Sequence, residues 1–335
     1  MKRGICFFVS LVMALSLFCS CSNSSKDVVV TVGEEIITEG ELSYVIANMV
    51  EGTKKQFSAM SLTEEQKKEQ WQTDIEGKKP SELIKEYALS EVINYAIFAQ
   101  AAKDENLSVT SNEVNTQLSK VFTESDFDLF KKTYGVSKNA IKEILRKQML
   151  KEKYITRVLS KQEAYRPTDE QLMEIFENDY LKAQHILIGI TDEQTGEMLS
   201  EEEISKKESE AQKLLRQANS GADFSELVQK YSDDPGKNTY PQGYVFAEGE
   251  MVTEFYEGAK ALGENEISGI VRTSYGFHII KRLPLLESDI DEKLSTITTS
   301  YQNDFITNKS EELKSKYEVS QNDALISKIP VNTGF

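Results

Sequence analysis

Two histidines, His185 and His278, are the residues of this 335-residue chain whose type and surroundings most directly suggest chemistry. An imidazole can act as a general acid or base near neutral pH. Each histidine lies in a run of apolar and β-branched residues, AQHILIGI (183–190) and YGFHIIKRL (275–283), which is typical of a buried strand. The pattern indicates neighbouring strands of one sheet. Two compatible interpretations are open: neutral imidazoles that satisfy each other inside a core, or a direct catalytic role.

Other catalytic chemistries lack suitable residues. The cysteines are Cys6, Cys19 and Cys21, all at the start of the chain, so a zinc site or a Cys-His nucleophile has too few ligands. No glycine-rich phosphate loop followed by lysine is present. We therefore expect neither a metal nor another cofactor.

The residues between the histidines predict the elements that must position them. Ser200 and Glu203 form a capping box at the start of a helix, and Gly221 ends it. The predicted order of elements across the whole stretch is β-α-α-β-α-β-β. After the first strand and helix it comprises GADFSELVQKYSDDP (221–235), NTYPQGYVF (238–246), GEMVTEFYEGAKAL (249–262) and GENEISGIVRTSYGFHIIKRL (263–283).

This order resembles the parvulin family of peptidyl-prolyl cis/trans isomerases. The resemblance rests on HILI, GADFSELVQKYS, GEMVTEF, GENEIS and TSYGFHII, which follow one another as in the family. It implies an α+β parvulin domain at residues 180–284, in which helices surround an antiparallel four-stranded sheet. It also implies that this domain isomerises X-Pro peptide bonds.

Isomerising an X-Pro bond breaks no covalent bond. The amide barrier is ~18–20 kcal/mol and uncatalysed exchange takes ~10–100 s, so about 3–4 kcal/mol of transition-state stabilisation gives an ordinary enzymatic rate. A dry pocket that grips proline, with one or two polar groups for the rotating carbonyl, is sufficient. Met251 and Phe255, four residues apart in GEMVTEF, are predicted to share one face of a helix start and to form this apolar seat.

The resemblance also implies roles for single residues. His185, Asp234 and His278 match the catalytic positions, where Asp234 tunes the polarity around the substrate carbonyl. A plain turn before Pro235 is the other interpretation of Asp234, and both stay open. The positions that match the substrate-binding site are Met251, Phe255, Phe246, Thr273 and Tyr275.

Two segments depart from the parvulin pattern. Before Phe246 the chain reads YPQGYVF and lacks the leucine that helps to close the proline pocket in the family. Either Tyr244 supplies that wall and binds substrate, or the pocket is degraded and activity is weak or absent. The loop TDEQTGEMLSEEE (191–203) is acidic where phosphate-directed parvulins carry arginines, which favours plain X-Pro or basic clients.

The composition suits a soluble globular protein with a substantial core, because 39% of residues are hydrophobic and 28% are charged. A net charge of −16 argues against nucleic acid as a partner and against broad adhesion to anionic lipid. The length predicts two or three domains.

The N-terminus has the pattern of an export signal. Lys2 and Arg3 precede an apolar run that is too short for a finished membrane span. The segment LSLFCSC resembles a bacterial lipobox, which implies a signal peptide at 1–20 and a lipid-anchored tether at 21–27. Cys21 would carry the lipid, palmitate included, because stable anchoring needs more than one acyl chain. Phe18 and Cys19 depart from the usual lipobox, and an ordinary secretory signal peptide is the alternative.

Helical spacing and capping residues predict a mainly helical region over 28–178, after two short strands at 28–38. These helices resemble the N-terminal chaperone region of SurA-like and PrsA-like foldases. Their predicted starts are Thr38, Ser81, Thr110, Ser137 and Thr168. The aromatic and methionine positions are interpreted as core rather than client groove; they are Tyr44, Met49, Tyr87, Tyr95, Phe98, Met149 and Tyr154.

The C-terminal segment, 285–335, is expected to return and pack with the N-terminal domain. One or two helices are predicted at 287–318 and a closing strand at 324–331. In the resembled foldases this arrangement makes the isomerase an insertion in a chaperone domain.

The leading hypothesis is a lipid-anchored, extracytoplasmic foldase of the bacterial envelope that isomerises X-Pro bonds in exported proteins. Its helical domain would hold these unfolded polypeptides. The alternative is a parvulin-fold chaperone without catalysis, for which the altered YPQGYVF stretch argues. A solute receptor fits poorly, because the N-terminal third is predicted to be helical rather than an α/β lobe. Pairing into a homodimer is left open.

Overall fold

The structure is a computed structural model that describes residues 27–60, 62–192, 195 and 197–334. These residues form two compact units. The second unit is Ser160–Thr307, and the first consists of the residues before and after it. The second unit is therefore an insertion in the sequence of the first, while the domain boundaries expected above stay a prediction. No helix in the described part of the chain is long and apolar enough to cross a membrane.

The first unit begins with a hairpin followed by helices that start at side-chain caps. Thr38 and Thr110 form the predicted capping boxes, and Ser137 caps the sixth helix. The elements are β1 (Val28–Val32), β2 (Glu35–Thr38), α1 (Glu39–Ala59), α2 (Glu64–Gln72), α3 (Pro80–Asp104), α4 (Ser111–Val121), α5 (Glu124–Tyr134) and α6 (Lys138–Arg157).

Two expectations for the first unit are wrong in detail. The long helix α3 begins at Pro80 rather than at Ser81. Proline suits the first helical position, because an N–H group there would have no hydrogen-bond partner within the helix. Tyr87 is 63% exposed and is not a core residue. It precedes the buried Ala88 by one residue, so its side chain points about 100° away from the buried face of α3.

The second unit contains the sheet that carries both histidines. Its predicted order of strands and helices is confirmed, and Thr168 caps its first helix. The elements are α7 (Asp169–Asp179), β3 (Tyr180–Gly189), α8 (Glu201–Asn219), α9 (Phe224–Tyr231), β4 (Tyr244–Ala247), α10 (Thr253–Lys260), β5 (Ile267–Arg272) and β6 (Gly276–Leu283).

The four strands of the second unit pair antiparallel in the order β4-β3-β6-β5. Alternate residues of β3 and β6 face opposite sides. On one side Ile186, Ile279 and their neighbours pack against α8 and α9. On the other, Ala183 and Ile280 pack with Phe255 of α10. The expected α+β fold, a parvulin-type sheet with surrounding helices inserted in a mainly helical chain, is confirmed.

The chain passes from the second unit back to the first within α11 (Leu294–Lys316), which is followed by β7 (Val319–Gln321) and α12 (Asp323–Ile326). Strand β7 pairs with β1 and completes a sheet of order β2-β1-β7. The strand predicted at 324–331 is wrong. The Asn322 side chain accepts the N–H of Leu325 at 3.2 Å and starts a helical turn there instead.

Candidate functional site

Strands β3 and β6 bring the two histidines together on one face of the sheet. His185 lies opposite Ile280, and His278 lies opposite Leu187, so the imidazoles are diagonal neighbours. Their ring centroids are 5.2 Å apart. His278 is 5% exposed, and the His185 side chain is 10% exposed. The prediction of neighbouring strands is confirmed.

Thr273 and Asp234 are the polar neighbours of the histidine pair. The Thr273 hydroxyl lies 2.9 Å from Nε2 of His278, and Oδ2 of Asp234 lies 3.6 Å from Nε2 of His185. Within the described residues, neither Nδ1 atom has a hydrogen-bond partner. The interpretation that the two imidazoles satisfy each other is therefore wrong, because their rings meet through tilted faces rather than through a hydrogen bond.

Burial keeps both imidazoles neutral. It lowers the pKa of His278 to about 3, with a further lowering from His185 and an opposing effect of Asp234. Burial also lowers the pKa of His185, and again Asp234 opposes the shift. Removal from water disfavours the charged imidazolium more than the nearby carboxylate favours it. The pair therefore offers hydrogen-bonding atoms and ring surface, but no positive charge at neutral pH.

Asp234 lies at the rim of the histidine pair and begins the short 3-10 turn Pro235–Asn238. Its Oδ1 accepts the N–H of Gly236 at 3.0 Å, as the turn interpretation expects. Its Oδ2 accepts the hydroxyl of Tyr244 at 2.6 Å and faces His185. Asp234 is thus a turn residue and a neighbour of the histidines at once.

Tyr244, at the start of β4, stacks on His185 with ring centroids 5.8 Å apart. Burial, followed by the hydrogen bond to Asp234, raises the pKa of Tyr244, so its hydroxyl remains a donor. Gly236 permits this close approach, because any Cβ at that position would collide with the hydroxyl oxygen. The Tyr244 ring therefore lies beside the histidines, and its hydroxyl is held by Asp234.

An apolar cluster completes the same face. The Phe255 ring centroid lies 5.0 Å from that of His185 and 5.4 Å from that of His278. Phe246 is fully buried behind Phe255, and half-buried Met251 packs against the same cluster.

The helical argument for Met251 and Phe255 is wrong in detail. Val252 is the extended N-cap of α10, so Met251 precedes the helix. The two side chains nevertheless meet in this cluster.

Tyr275 is set apart from the other predicted residues. Its side chain is 60% exposed and lines a depression of about 600 Å³ together with Leu187, Asp233 and Pro235. Its backbone N–H reaches the site by donating to the Thr273 hydroxyl at 3.1 Å. The remaining predicted residues form one neighbourhood; they are His185, Asp234, His278, Met251, Phe255, Tyr244, Phe246 and Thr273. Cys21 lies outside the described residues.

No group of His, Cys, Asp and Glu side chains that could hold a metal occurs in the described residues. The sequence does not single out Ser232, which is 3% exposed and bonds the backbone of β3 beside His185. It is one polar residue in a polar turn, and no periodic pattern indicates its burial.

Two family models match the chain. One describes a PPIC-type PPIase domain at residues 164–283, and the other a SurA-like N-terminal domain at residues 2–166. Relatives that carry the name foldase protein PrsA also match the chain. The relative from Caldanaerobacter subterraneus is 31% identical over 99% of this chain and 98% of its own length. The relative from Oceanobacillus iheyensis is 31% identical over 58% of each chain.

A third relative, from Clostridium acetobutylicum, is 23% identical over 80% of this chain and 78% of its own. The match to the Caldanaerobacter relative extends over nearly the full length of both chains. The chain therefore belongs to the PrsA family of foldases and carries a PPIC-type, or parvulin-type, peptidyl-prolyl isomerase domain.

Proposed function

We propose that the face of the sheet bearing His185 and His278 is where this foldase isomerises X-Pro bonds. The observation that carries the proposal is the convergence of an apolar cluster, two neutral imidazoles and one carboxylate on that face. Phe255, Phe246 and Met251 form the seat of the proline ring, and Tyr244 forms its wall. Asp234 stands at the rim, beside the substrate carbonyl.

The chemistry follows from the electronic structure of the amide. Resonance makes the planar amide more polar than the twisted one, with negative charge on oxygen that is lost as the C–N bond rotates. A desolvated cleft disfavours the more polar planar form, and a carboxylate beside the carbonyl oxygen does the same. Asp234 therefore assists rotation without attacking the carbonyl carbon. The neutral histidines keep the cleft free of positive charge, which would favour the planar form.

Thr273 has a supporting role in this proposal. Its hydroxyl accepts the N–H of Tyr275 and lies within hydrogen-bond distance of His278 Nε2, so it holds the imidazole against Phe255. The backbone of Tyr275 thereby braces the site, while its exposed side chain is free to touch the polypeptide that flanks the proline.

A pair of methionine variants tests the seat. Met251→Ala removes a half-buried side chain from the proposed seat, and we expect kcat/KM for a short X-Pro peptide to fall about tenfold, or about 1.4 kcal/mol. The matched control is Met173→Ala, which removes a half-buried methionine from the separate cluster around Phe176 in the same unit. We expect the control to retain the activity of the original chain.

The same variants separate isomerisation from holding. We expect both variants to suppress the aggregation of an unfolded protein equally well, because we propose that the helical unit holds unfolded polypeptides. Equal activity of Met251→Ala and Met173→Ala would contradict the proposed seat. An original chain that suppresses aggregation but never accelerates proline-limited refolding would favour the chaperone without catalysis.

Clients are expected to be newly exported, unfolded polypeptides with plain X-Pro bonds or basic flanking residues. The support is the acidic loop at 191–203, which disfavours phosphorylated residues before proline. Extracytoplasmic attachment to a membrane of the bacterial envelope through lipid on Cys21 is part of the same proposal. Its support is the lipobox-like LSLFCSC after a basic and apolar signal segment. Homodimerisation stays a prediction.

A further inference from the structure

We propose that Ser232 and Asp233 are positioning residues for isomerisation, because they fasten the turn that carries Asp234 to the backbone of β3 beside His185. This inference rests on the proposed function, since it concerns how Asp234 is held at the rim of the cleft. It adds two residues to which neither the sequence nor the family models assign a role.

The feature begins with an open edge of β3. Strand β4 pairs with β3 only over Tyr180–Ala183, whereas β6 pairs with the other edge as far as Gly189. Beyond Ala183, no described strand covers the β4 side of β3. The backbone groups of residues 185–189 on that side therefore need other partners, since unpaired buried groups are costly.

The Ser232 hydroxyl serves two of these backbone groups and, in addition, one backbone group of the turn that carries Asp234. It accepts the N–H of Leu187 at 3.0 Å and lies 3.5 Å from the carbonyl oxygen of His185, to which it can donate. It also accepts the N–H of Asp234 at 3.3 Å. One donor and two acceptors are all that a serine hydroxyl offers, so a single buried atom links the backbone of His185 to that of Asp234.

Asp233 continues this ladder of hydrogen bonds along the open edge of β3 by one residue. Its backbone N–H donates to the carbonyl oxygen of Leu187 at 2.8 Å, and its Oδ2 accepts the N–H of Gly189 at 2.9 Å. Lys207 lies 3.9 Å from that carboxylate. Two consecutive residues thus replace the missing strand, and the next residue along the chain, Asp234, is placed beside His185.

This ladder of hydrogen bonds matters for chemistry because Asp234 does not lie in a long helix or a strand that would fix its position. Its 3-10 turn spans only Pro235–Asn238, and Oδ2 must lie next to both His185 and the Tyr244 hydroxyl. A misplacement of ~1 Å can reduce an enzymatic rate by up to ~100-fold. The hydrogen bonds of the Ser232 hydroxyl go to the backbone of β3 and to the N–H of Asp234, so we assign it an effect that acts through Asp234.

The test is a double-mutant cycle in the full chain, with kcat/KM for a short X-Pro peptide and the melting temperature as readouts. We expect Ser232→Ala to lower kcat/KM about fivefold, and Asp234→Ala to lower it about tenfold. In the Asp234→Ala background, we expect Ser232→Ala to lower kcat/KM no further while still lowering the melting temperature. A purely structural serine would reduce activity by the same factor in both backgrounds.

Ser268→Ala is the matched control. Ser268 is a buried serine whose hydroxyl accepts the N–H of Ile280 on β6 at 2.9 Å, and it has no hydrogen bond to Asp234. We expect a similar loss of melting temperature with unchanged kcat/KM. If Ser232→Ala does not fold, Asp233→Ala takes its place, because that side chain is 36% exposed. Its expected loss is about threefold, again absent in the Asp234→Ala background.

The outcomes separate this inference from the proposed function. If the original chain is active and the kcat/KM of Ser232→Ala and Asp233→Ala is unchanged, the positioning role alone is overturned. Equal losses in both backgrounds, or a loss that Ser268→Ala reproduces, overturn it as well. If the original chain does not accelerate isomerisation, the proposed function and this inference are both wrong.

Discussion

At the scale of residues, the site combines neutral rings with one carboxylate. His278 is enclosed by Phe255, His185 and Thr273, and this enclosure makes protonation costly. Asp234 is close enough to favour the charged imidazolium, yet burial outweighs it. The sheet therefore holds an imidazole in its core that folding makes much harder to protonate than it is in the unfolded chain.

The stability of the second unit should consequently depend on pH. The pKa of His278 is about 3 in the folded chain, against 6.5 ordinarily, so the unfolded state binds the proton more readily. Stability is fully present above about pH 6.5 and decreases as the pH falls towards about 3. Between about pH 7 and about pH 5 we expect a loss of about 2 kcal/mol from this residue.

Denaturant titrations of the full chain and of His278→Gln across that pH interval measure the effect. Glutamine does not titrate, so the variant should lose less stability than the original chain between the two pH values. Identical losses would show that His278 is protonated as easily in the folded state as in the unfolded one.

At the scale of elements, the site depends on close approach of β6 to β3. Gly276 opens β6 opposite Gly189 with φ +151°, where a Cβ would collide with the carbonyl oxygen of Ile188. His278 follows two residues later on the same strand. The pairing that places the imidazole therefore requires glycine at its first position.

Gly276→Ala should displace the start of β6. Because the obstruction is backbone rather than a flexible side chain, we expect about 3 kcal/mol of destabilisation in denaturant unfolding, with loss of isomerase activity. Gly269→Ala on the neighbouring strand β5 is the control, since its Cβ would have no heavy atom within 4 Å. The strand argument fails if the two variants are equally stable.

At the scale of the whole molecule, the isomerase domain and the long helices belong to different units. The unit with the isomerase site is inserted between two parts of the unit with the long helices α1, α3 and α6. Each unit has hydrophobic clusters of its own. Attachment to the membrane is proposed to come from the N-terminal tether at 21–27.

Cys21→Ser tests that attachment. A hydroxyl cannot carry the thioether-linked lipid, so the variant expressed in a bacterial host should lose incorporation of labelled palmitate and leave the membrane fraction. Its isomerase activity should be unchanged, because the site lies wholly within Ser160–Thr307. Retention in the membrane fraction without label would indicate another mode of attachment.

The sequence by itself determined which residues face the core and where most elements begin. Alternation along β3 and β6 placed His185 and His278 on core strands, and capping boxes marked the starts of α1, α4, α7 and α8. These are local properties, set by the period of a strand and by unpaired N–H groups at a helix start. The resemblance to parvulins supplied the rest of the predicted site.

Only the tertiary structure decided how the side chains meet. It placed Tyr244 against both His185 and Asp234, left the Tyr275 side chain outside, and gave Ser232 the open edge of β3. These contacts join residues far apart in the chain, and each depends on strand register, turn length and the space left by a glycine. No local pattern encodes such distances, because they arise only when the sheet and its loops have packed.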